Sequence, residues 1–337
     1  MAEFDIGIDL GTYKTAVCVN GEDIVLSEPS VVAINTKRQE IIAVGEKAYK
    51  MFGKSPEYIK VLPALENGVI SDYYLAQVII TDVLKRVSQN FVVKPRVTIC
   101  VPSTTTTVEI RALTDAAADS GARKVYLIHE PIAAALGADV DISKPKGRFI
   151  IDIGAGATDI AVLSLNGSVI ARSFPVAGNH LDNELVKYVA KKHKLAIGPH
   201  TAKRLKETIG NVYNPTVDEC MEIRGRSLKT GLPKKIIVNA KEILPSLNEI
   251  VDLIIAHIEE ILNETPPELS GDILTEGIVM TGGGSLLGGL AELITKRSNI
   301  KVTIANNPQS CVALGTGRAF KYVENLGEGF LSSSILI

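Results

Sequence analysis

The chain has 337 residues with 36 basic and 38 acidic side chains, which gives a net charge of −2. This length predicts about two ordinary domains and excludes a small disulfide-stapled domain. With 46% hydrophobic and 22% charged residues, the sequence can bury a large core and is neither disordered nor fibrous. The balanced charge gives no electrostatic reason to expect nucleic-acid binding.

The sequence also carries no signal for export or for membrane insertion. Met1 to Asp5 lack the basic and apolar regions of a signal peptide, and every apolar run is interrupted before about 18 residues. The four cysteines are widely spaced with no Cys-x-x-Cys pair, which predicts buried thiols in a reducing compartment. We therefore expect a cytoplasmic protein.

The first part of the chain predicts an α/β fold. Residues 5 to 19 alternate β-favouring side chains around a glycine turn, and Asn20-Gly21 is typical of a two-residue hairpin loop. The elements expected after this hairpin are a helix at 73–88, a strand at 96–101, a helix from about 104 to 120, a strand at 125–128 and a helix at 132–138.

Residues 148 to 174 repeat the plan of the first hairpin. Two strands are predicted at 149–154 and 160–165, followed by the turn Asn166-Gly167 and a further strand. Asp9 and Asp152 hold the same place in the two units, 143 residues apart. A repeat on this scale predicts two halves of a duplicated fold that face each other across a cleft. The helices expected after it are at about 181–194, 199–209, 240–263, 285–297 and 308–325.

Two glycine loops carry the predicted chemistry. Residues 11–15 and 154–158 each follow a strand that ends near an aspartate, and glycine turns of this kind aim backbone N–H groups at an anion. A single glycine hairpin is usually only a turn, but the pair predicts a phosphate clamp. Asp9 and Asp152 beside a polyphosphate suit Mg²⁺, held through water. The Walker and dinucleotide-binding patterns are absent from the sequence.

A third element is a strand from Ile278 that enters Gly282, Gly283 and Gly284. Three glycines permit close approach of a flat base or a phosphate. The alternative is a tight turn between a strand and a helix, which needs one glycine and seldom three.

These elements, in this order, resemble the actin, Hsp70 and sugar-kinase superfamily, and further segments narrow the resemblance to the MreB and Mbl family of bacterial actins. Arg224-Gly-Arg with Thr230-Gly-Leu-Pro233 is the most family-specific segment. The other resembling stretches are 28–34, 68–73, 130–137 and 311–317.

The resemblance implies a duplicated α/β ATPase fold of two domains around a nucleotide cleft. The first half would comprise residues 1–143 and return at about 308–337, and the second half would comprise 144–307. The implied function is an ATP- and Mg-binding protein that forms head-to-tail filaments on the inner membrane face and organises cell-wall synthesis with elongation proteins to set rod shape. Slow Mg-dependent ATP hydrolysis would accompany assembly.

The family's functional positions carry over residue by residue. Glu130 matches the residue that positions the attacking water, with help from Thr158. The implied nucleotide-contacting residues are Thr12, Tyr13 and Lys14 in the first loop; Gly154, Ala155, Gly156 and Ala157 in the second; Lys203, Lys206 and Glu207 beside the nucleoside; and Gly282, Gly283, Gly284, Ser285 and Leu286 beside the adenosine.

Several positions depart from the family pattern. The family commonly has Ala-Asn at Tyr13-Lys14, Thr at Ala157, Asp at Asn179 and Glu at Lys203. Extra positive charge favours phosphates, while loss of the hydroxyl at position 157 weakens water positioning. We therefore expect nucleotide binding to be retained better than fast hydrolysis.

Membrane attachment is implied by the resemblance, and Phe91, Val92 and Val93, flanked by basic residues, suit an anionic lipid surface. Alternatively, they pack under a helix end.

Two alternative functions are also found on this fold. A metabolite kinase needs a catalytic base beside an acceptor pocket, and no base can be nominated. An Hsp70-type chaperone needs a substrate-binding domain after the ATPase.

Overall fold

A computed structural model describes residues 4–66, 68–88, 94–103 and 105–322 and the backbone of 330–333. Phe91, Val92 and Val93 lie outside the described residues. The strands are β1 Asp5–Leu10, β2 Lys14–Val19, β3 Asp23–Pro29, β4 Val31–Asn35, β5 Glu40–Val44, β6 Ile59–Pro63, β7 Leu65–Glu66, β8 Val69–Ile70, β9 Arg96–Val101, β10 Lys124–His129, β11 Arg148–Ile153, β12 Thr158–Ser164, β13 Gly167–Phe174, β14 Leu195–Ala196, β15 Cys220–Ser227, β16 Pro233–Asn239, β17 Ile278–Thr281, β18 Val302–Ile304 and β19 Phe330–Ser333. The α-helices are α1 Glu46–Tyr49, α2 Tyr73–Ser88, α3 Thr107–Asp119, α4 Glu130–Gly137, α5 Gly178–His193, α6 Pro199–Ile209, α7 Ala240–Glu264, α8 Pro267–Glu276, α9 Leu290–Ser298 and α10 Cys311–Arg318, with 3₁₀ helices at Gly283–Leu286, Pro308–Ser310 and Ala319–Tyr322.

Two large sheets carry the same hairpin. One has the order β19-β10-β9-β1-β2-β3 and the other has the order β13-β12-β11-β17-β18. Asp9 lies opposite Ala16 in the first hairpin, and Asp152 lies opposite Asp159 in the second. Asp152 and Asp159 lie 143 positions after Asp9 and Ala16, respectively, so the two hairpins have the same register. Each inner strand also pairs in parallel with a later strand, β1 with β9 and β11 with β17. The repeat seen in the sequence is thus a repeat of structure.

Helices α4 and α10 join the two sheets at the base of the cleft. They contact each other closely, and they also contact β11 and β1, respectively. Gly137 and Gly315 permit this approach, because a β-carbon at either position would overlap the backbone of the facing helix. Buried side chains around them, such as Ile132, Ile150 and Val312, form one shared core. The two halves therefore meet through packed helices.

Each half also carries a smaller sheet. Strands β5-β4-β6 lie with α1 in the first half, and β14-β15-β16 lie against α6 in the second. Neither of these sheets is among the elements predicted from the sequence, and neither is α8, which begins at Pro267. The Asn239 and Glu242 capping box at the start of α7 was predicted and is present.

Other predicted elements need correction. The expected helix at 285–297 is interrupted, since Gly289 has a φ of 74° and α9 begins only at Leu290. The helix expected from 308 is split into α10 and flanking 3₁₀ segments within the described residues. The second hairpin turns at Leu165 and Asn166, which both have positive φ, one residue earlier than predicted. Cys220 is exposed, whereas the other three cysteines are buried as expected. None of the helices in the described parts of the chain is long and apolar enough to cross a membrane.

Candidate functional site

The two glycine loops are built alike. Gly11 N donates to Lys14 O at 3.2 Å, and Gly154 N donates to Ala157 O at 2.9 Å. Gly154 and Ala157 again lie 143 positions after Gly11 and Lys14, respectively. No acceptor among the described residues takes the N–H of residues 12, 13, 155 or 156. These N–H groups are therefore available to an anion.

Helix α5 sets the direction of the second loop. Its first N–H groups, those of Gly178 and Asn179, donate to the carbonyls of Gly154 at 3.2 Å and Ala155 at 2.8 Å. In a trans peptide the N–H of the next residue points the opposite way. The N–H groups of Ala155 and Gly156 consequently point away from α5.

Ser30 plays the corresponding part in the first loop. Its hydroxyl donates to Gly11 O at 2.6 Å, and its N–H donates to Tyr13 O at 3.1 Å. By the same peptide geometry, the N–H of Thr12 points away from Ser30. Ser30 lies in the family-resembling stretch 28–34 but is not among the predicted site residues, because its two bonds to the first loop join segments that are distant in sequence.

Asp9 and Asp152 end equivalent strands, and each receives a hydrogen bond from the neighbouring parallel strand. Cys100 Sγ donates to Asp9 Oδ1 at 3.4 Å, and Thr281 Oγ1 donates to Asp152 Oδ1 at 2.6 Å. Burial raises the pKa of Asp9 to about 6; the hydrogen bond from Cys100 lowers this pKa by a smaller amount, and the charge of Asp152 raises it further. Burial likewise raises the pKa of Asp152 to about 6. Thr281 had not been predicted as a site residue, although it ends the strand that enters the glycine loop.

Glu130 and Asp159 lie in the same enclosed space. Burial, followed by the charges of Asp159, Asp152 and Asp9, raises the pKa of Glu130 well above its usual range. Burial and then Asp152 raise the pKa of Asp159 to about 7. Neither carboxylate oxygen of Asp159 has a partner within normal hydrogen-bond geometry, although Ser173 and Glu130 are near enough to affect its pKa. The ionised forms of these acids are therefore disfavoured, and a cation placed nearby would stabilise them.

This donor set fits a magnesium ion held mainly through water. Carboxylate oxygens are the ligands that Mg²⁺ prefers, and unpartnered buried carboxylates gain from a nearby cation. Within the described residues, no three His, Cys, Asp or Glu side chains are arranged to hold a metal by themselves. Waters and phosphate oxygens would have to supply the remaining ligands.

The raised pKa of Asp159 predicts that Asp159→Asn stabilises the folded protein by an amount that depends on pH. The folded-state pKa is about 7 and the ordinary value is 3.8, so the folded state binds the extra proton and its stability falls as the pH rises between them. Without nucleotide or divalent cations, we expect the variant to be more stable than wild type by roughly 2 to 4 kcal/mol at pH 8. The gain at pH 5 should be about half of this or less. Denaturant unfolding at both pH values measures it, with exposed Asp218→Asn as the control; an equal difference at the two pH values would contradict the assignment.

The triple-glycine loop is shaped mainly by packing. A β-carbon on Gly282 or Gly284 would overlap Ile153, whereas a β-carbon on Gly283 would come no closer than 3.8 Å to its nearest neighbour, the Gln309 side chain. Ser285 is buried and donates to Gly282 O at 2.7 Å, and Leu286 is half exposed. Two of the three glycines are thus required by the contact with β11, and Gly283 leaves open space for a ligand.

Some predicted site residues are engaged with the protein itself. Thr158 Oγ1 donates to Val176 O at 2.6 Å, so its proton does not face the cleft. Lys206 Nζ bonds Gly178 O at 2.9 Å and Asp182 at 2.8 Å, which fixes α6 against the start of α5. Glu207 is exposed and lies 3.8 Å from Lys203.

Ala157 lies against the first half of the chain. A β-carbon on Gly68 would come within 2.6 Å of the Ala157 Cβ. Gly68 N also donates to Thr12 Oγ1 at 3.0 Å. Gly68 therefore contacts both loops, and the small side chain at position 157 is part of this close approach.

Comparison with known proteins gives consistent matches over almost the whole chain. The family model described as MreB/Mbl protein matches residues 3–328. The cell shape-determining protein Mbl of Bacillus subtilis (strain 168) is 40% identical over 329 residues, covering 97% of this chain and 99% of the relative. The cell shape-determining protein MreB of Escherichia coli (strain K12) is 39% identical over 334 residues, covering 97% and 96%.

Solved structures agree with these relatives. MreB5 of Spiroplasma citri bound to ADP superimposes with a TM-score of 0.90 at 36% identity and covers 96% of this chain and 98% of its own. The MamK double helical filament gives 0.80 at 26% identity, with coverage of 95% and 99%. The predicted actin-like fold is confirmed, and neither the metabolite kinase nor the chaperone alternative is favoured. The chain belongs to the MreB/Mbl family.

Proposed function

We propose that this chain is an ATP-binding, filament-forming protein of the cytoskeleton that determines cell shape. The observation that carries the proposal is the pair of equivalent loops. Among the described residues, no acceptor takes the N–H groups of residues 12, 13, 155 and 156. The loops lie beside two buried acids, Asp152 and Asp159, and two partly buried ones, Asp9 and Glu130. Relatives named as cell shape-determining proteins support the cellular role. In this proposal residues 1–143 and 308–337 form the first half and residues 144–307 form the second.

The proposed ligand is Mg-ATP in the cleft between the halves. The N–H groups of Thr12, Tyr13, Ala155 and Gly156 would bind phosphate oxygens, with Lys14 adding positive charge near Asp9. Asp9 and Asp152 would bind the water shell of magnesium, which when bound neutralises phosphate charge. The related MreB5 has been solved with ADP and with AMPPNP, which supports a nucleotide here.

Hydrolysis is proposed to be slow. Glu130 is partly buried beside Asp152 and Asp159 and would orient the attacking water through its carboxylate. Thr158 would assist only as an acceptor or after rotation, because its proton is given to Val176 O. Ala157 offers no hydroxyl at all. In this proposal, more groups of the site bind phosphate than activate water, so nucleotide binding is favoured over hydrolysis.

Assembly is proposed to be head to tail, and the charges at the two ends of α7 support it. The hairpin between β15 and β16 exposes Leu228, Leu232, Lys229, Lys234 and Lys235, of which Lys235 pairs with Glu222. The end of α5 links this hairpin to the start of α7, because Leu228 N donates to Lys194 O and the neighbouring Lys192 pairs with Glu242 in the first turn of α7. Around the other end of this 25-residue helix, which is about 37 Å long, lie Glu260, Glu264 and Glu268, of which Glu264 pairs with Arg172. A basic end and an acidic end favour an interface that does not close on itself.

Charge reversal tests this arrangement. We expect Lys234→Glu with Lys235→Glu to reduce the sedimented fraction in Mg-ATP severalfold, and Glu264→Lys with Glu268→Lys to do the same. An equimolar mixture of the two variants should sediment again, because each restores opposite charges at the other's interface. Electron microscopy should then show filaments for wild type and for the mixture. A mixture as defective as its components would contradict the proposed contact, and a wild type that stays monomeric at high concentration with Mg-ATP and lipid would contradict assembly itself.

Attachment to the inner membrane face and cooperation with cell-wall elongation proteins remain parts of the proposal that rest on the family. Phe91, Val92 and Val93 are the proposed lipid contact. Three apolar residues would bind weakly, so attachment would depend on many subunits of one filament acting together.

A further inference from the structure

Aromatic and basic side chains of the first loop, α1 and α6 connect the two halves. Lys203 Nζ on α6 lies 3.3 Å from the ring centroid of Tyr13 in the first loop. Tyr49 OH in α1 is 2.9 Å from His200 Nδ1, and the two rings meet edge to face at 5.1 Å. The hydroxyls of Tyr13 and Tyr49 are 3.4 Å apart. These four side chains form one continuous set of contacts.

The set of contacts lies beside both loops. Tyr13 belongs to the first loop, and its backbone carbonyl is held by Ser30. On the other side, α6 carries Lys206, which bonds Gly178 next to the second loop. Burial, and then the neighbouring Tyr13, raises the pKa of Tyr49 to about 12, so its hydroxyl stays protonated and can donate to His200. Since Tyr13 is part of the first loop, a nucleotide held by both loops would lie next to these contacts.

Tyr13 and Lys203 are also two of the positions at which the sequence departs from the family pattern. A lysine over an aromatic face is attracted by the ring, whereas a glutamate in its place would be repelled. An alanine at position 13 would offer neither the ring nor the hydroxyl that reaches Tyr49. The two departures therefore make a contact that neither would make alone.

We propose that Tyr13, Tyr49, His200 and Lys203 form a clasp that holds the halves closed over bound nucleotide and slows its release. The proposal rests on the proposed nucleotide site. It gives Lys203 a role in closure through Tyr13, where the family resemblance implies direct contact with the nucleoside. Because Tyr13 also supplies a loop N–H, opening of the clasp and loosening of the phosphate cradle are coupled.

The test is the release rate of a fluorescent ADP, measured by stopped-flow chase with excess unlabelled ADP and Mg²⁺. We expect Lys203→Met and Tyr49→Phe each to release nucleotide about tenfold faster than wild type. Lys203→Arg keeps a cation over the ring and should release at close to the wild-type rate. Arg204→Met, an exposed neighbour on the same helix, is the matched control and should match wild type.

The pattern of results separates the possibilities. Release within twofold of wild type for both Lys203→Met and Tyr49→Phe would overturn the clasp. Faster release in Lys203→Met alone would also overturn it, since this would indicate direct contact between Lys203 and the nucleotide. If wild type binds no nucleotide, the proposed function fails, and X-ray scattering of the nucleotide-free Lys203→Met, Tyr49→Phe double variant decides the clasp. An increased radius of gyration supports the clasp, and an unchanged radius overturns it.

Discussion

Asp152→Ala is expected to weaken Mg-ATP binding on the order of 100-fold, which corresponds to about 2.7 kcal/mol. The effect should require magnesium. In the absence of divalent cations, Asp152 carries like charge to the phosphates in an enclosed site, so its removal should leave ATP affinity unchanged or improve it. Isothermal titration calorimetry with and without Mg²⁺ measures both affinities.

Two control variants separate the metal role of Asp152 from its structural role. Asp152→Asn keeps an acceptor for Thr281 Oγ1, so it should fold like wild type and still lose the magnesium-dependent part of the affinity. Asp218→Asn changes an exposed acid and should bind as wild type does. Equal weakening with and without Mg²⁺ would show that Asp152 does not act through the metal.

Glu130→Gln is expected to lower ATP turnover about 100- to 1000-fold while Mg-ATP affinity changes by less than about threefold. Glutamine keeps the shape of the side chain but cannot accept a proton from water. Phosphate release measured at saturating Mg-ATP, together with calorimetry, separates the two quantities. Filaments of the variant should also persist longer in ATP if hydrolysis limits their lifetime.

The matched control is Glu292→Gln, an exposed glutamate in the first turn of α9. Its turnover should equal that of wild type. A Glu130→Gln protein that hydrolyses ATP at the wild-type rate would remove Glu130 from the reaction, and the search for a water-positioning group would then move to Asp159.

The duplicated hairpins were predictable because their signals are local. In each unit, an aspartate near the strand end, a glycine turn and an Asn-Gly pair lie within one short segment of the chain. These signals indicate where the strands turn, although the second turn lies one residue before its Asn-Gly pair. Helix α2 and helix α6 were predicted with their observed bounds for the same reason, since periodicity and first-turn proline are read within one element. The phosphate loops were found by this route.

The supports of the site were not predictable from the sequence, because they are contacts between distant segments. Thr281 reaches Asp152 across 129 positions, and Tyr49 reaches His200 across 151. A contact between distant segments also explains why positions 282 and 284 are glycine, because a side chain at either position would overlap Ile153 in another strand. A sequence pattern can place such residues near a loop, but it does not show which distant residue each of them contacts.

We expect the two equivalent loops to bind the phosphates of a magnesium nucleotide together. An electron density map of the protein with AMPPNP and Mg²⁺ tests this arrangement. Phosphate density should lie within hydrogen-bond distance of the N–H groups of Thr12, Tyr13, Ala155 and Gly156, with magnesium density on the side of Asp9 and Asp152. Nucleotide density that contacts only one loop, or a cleft with no nucleotide density at saturating AMPPNP, would contradict it.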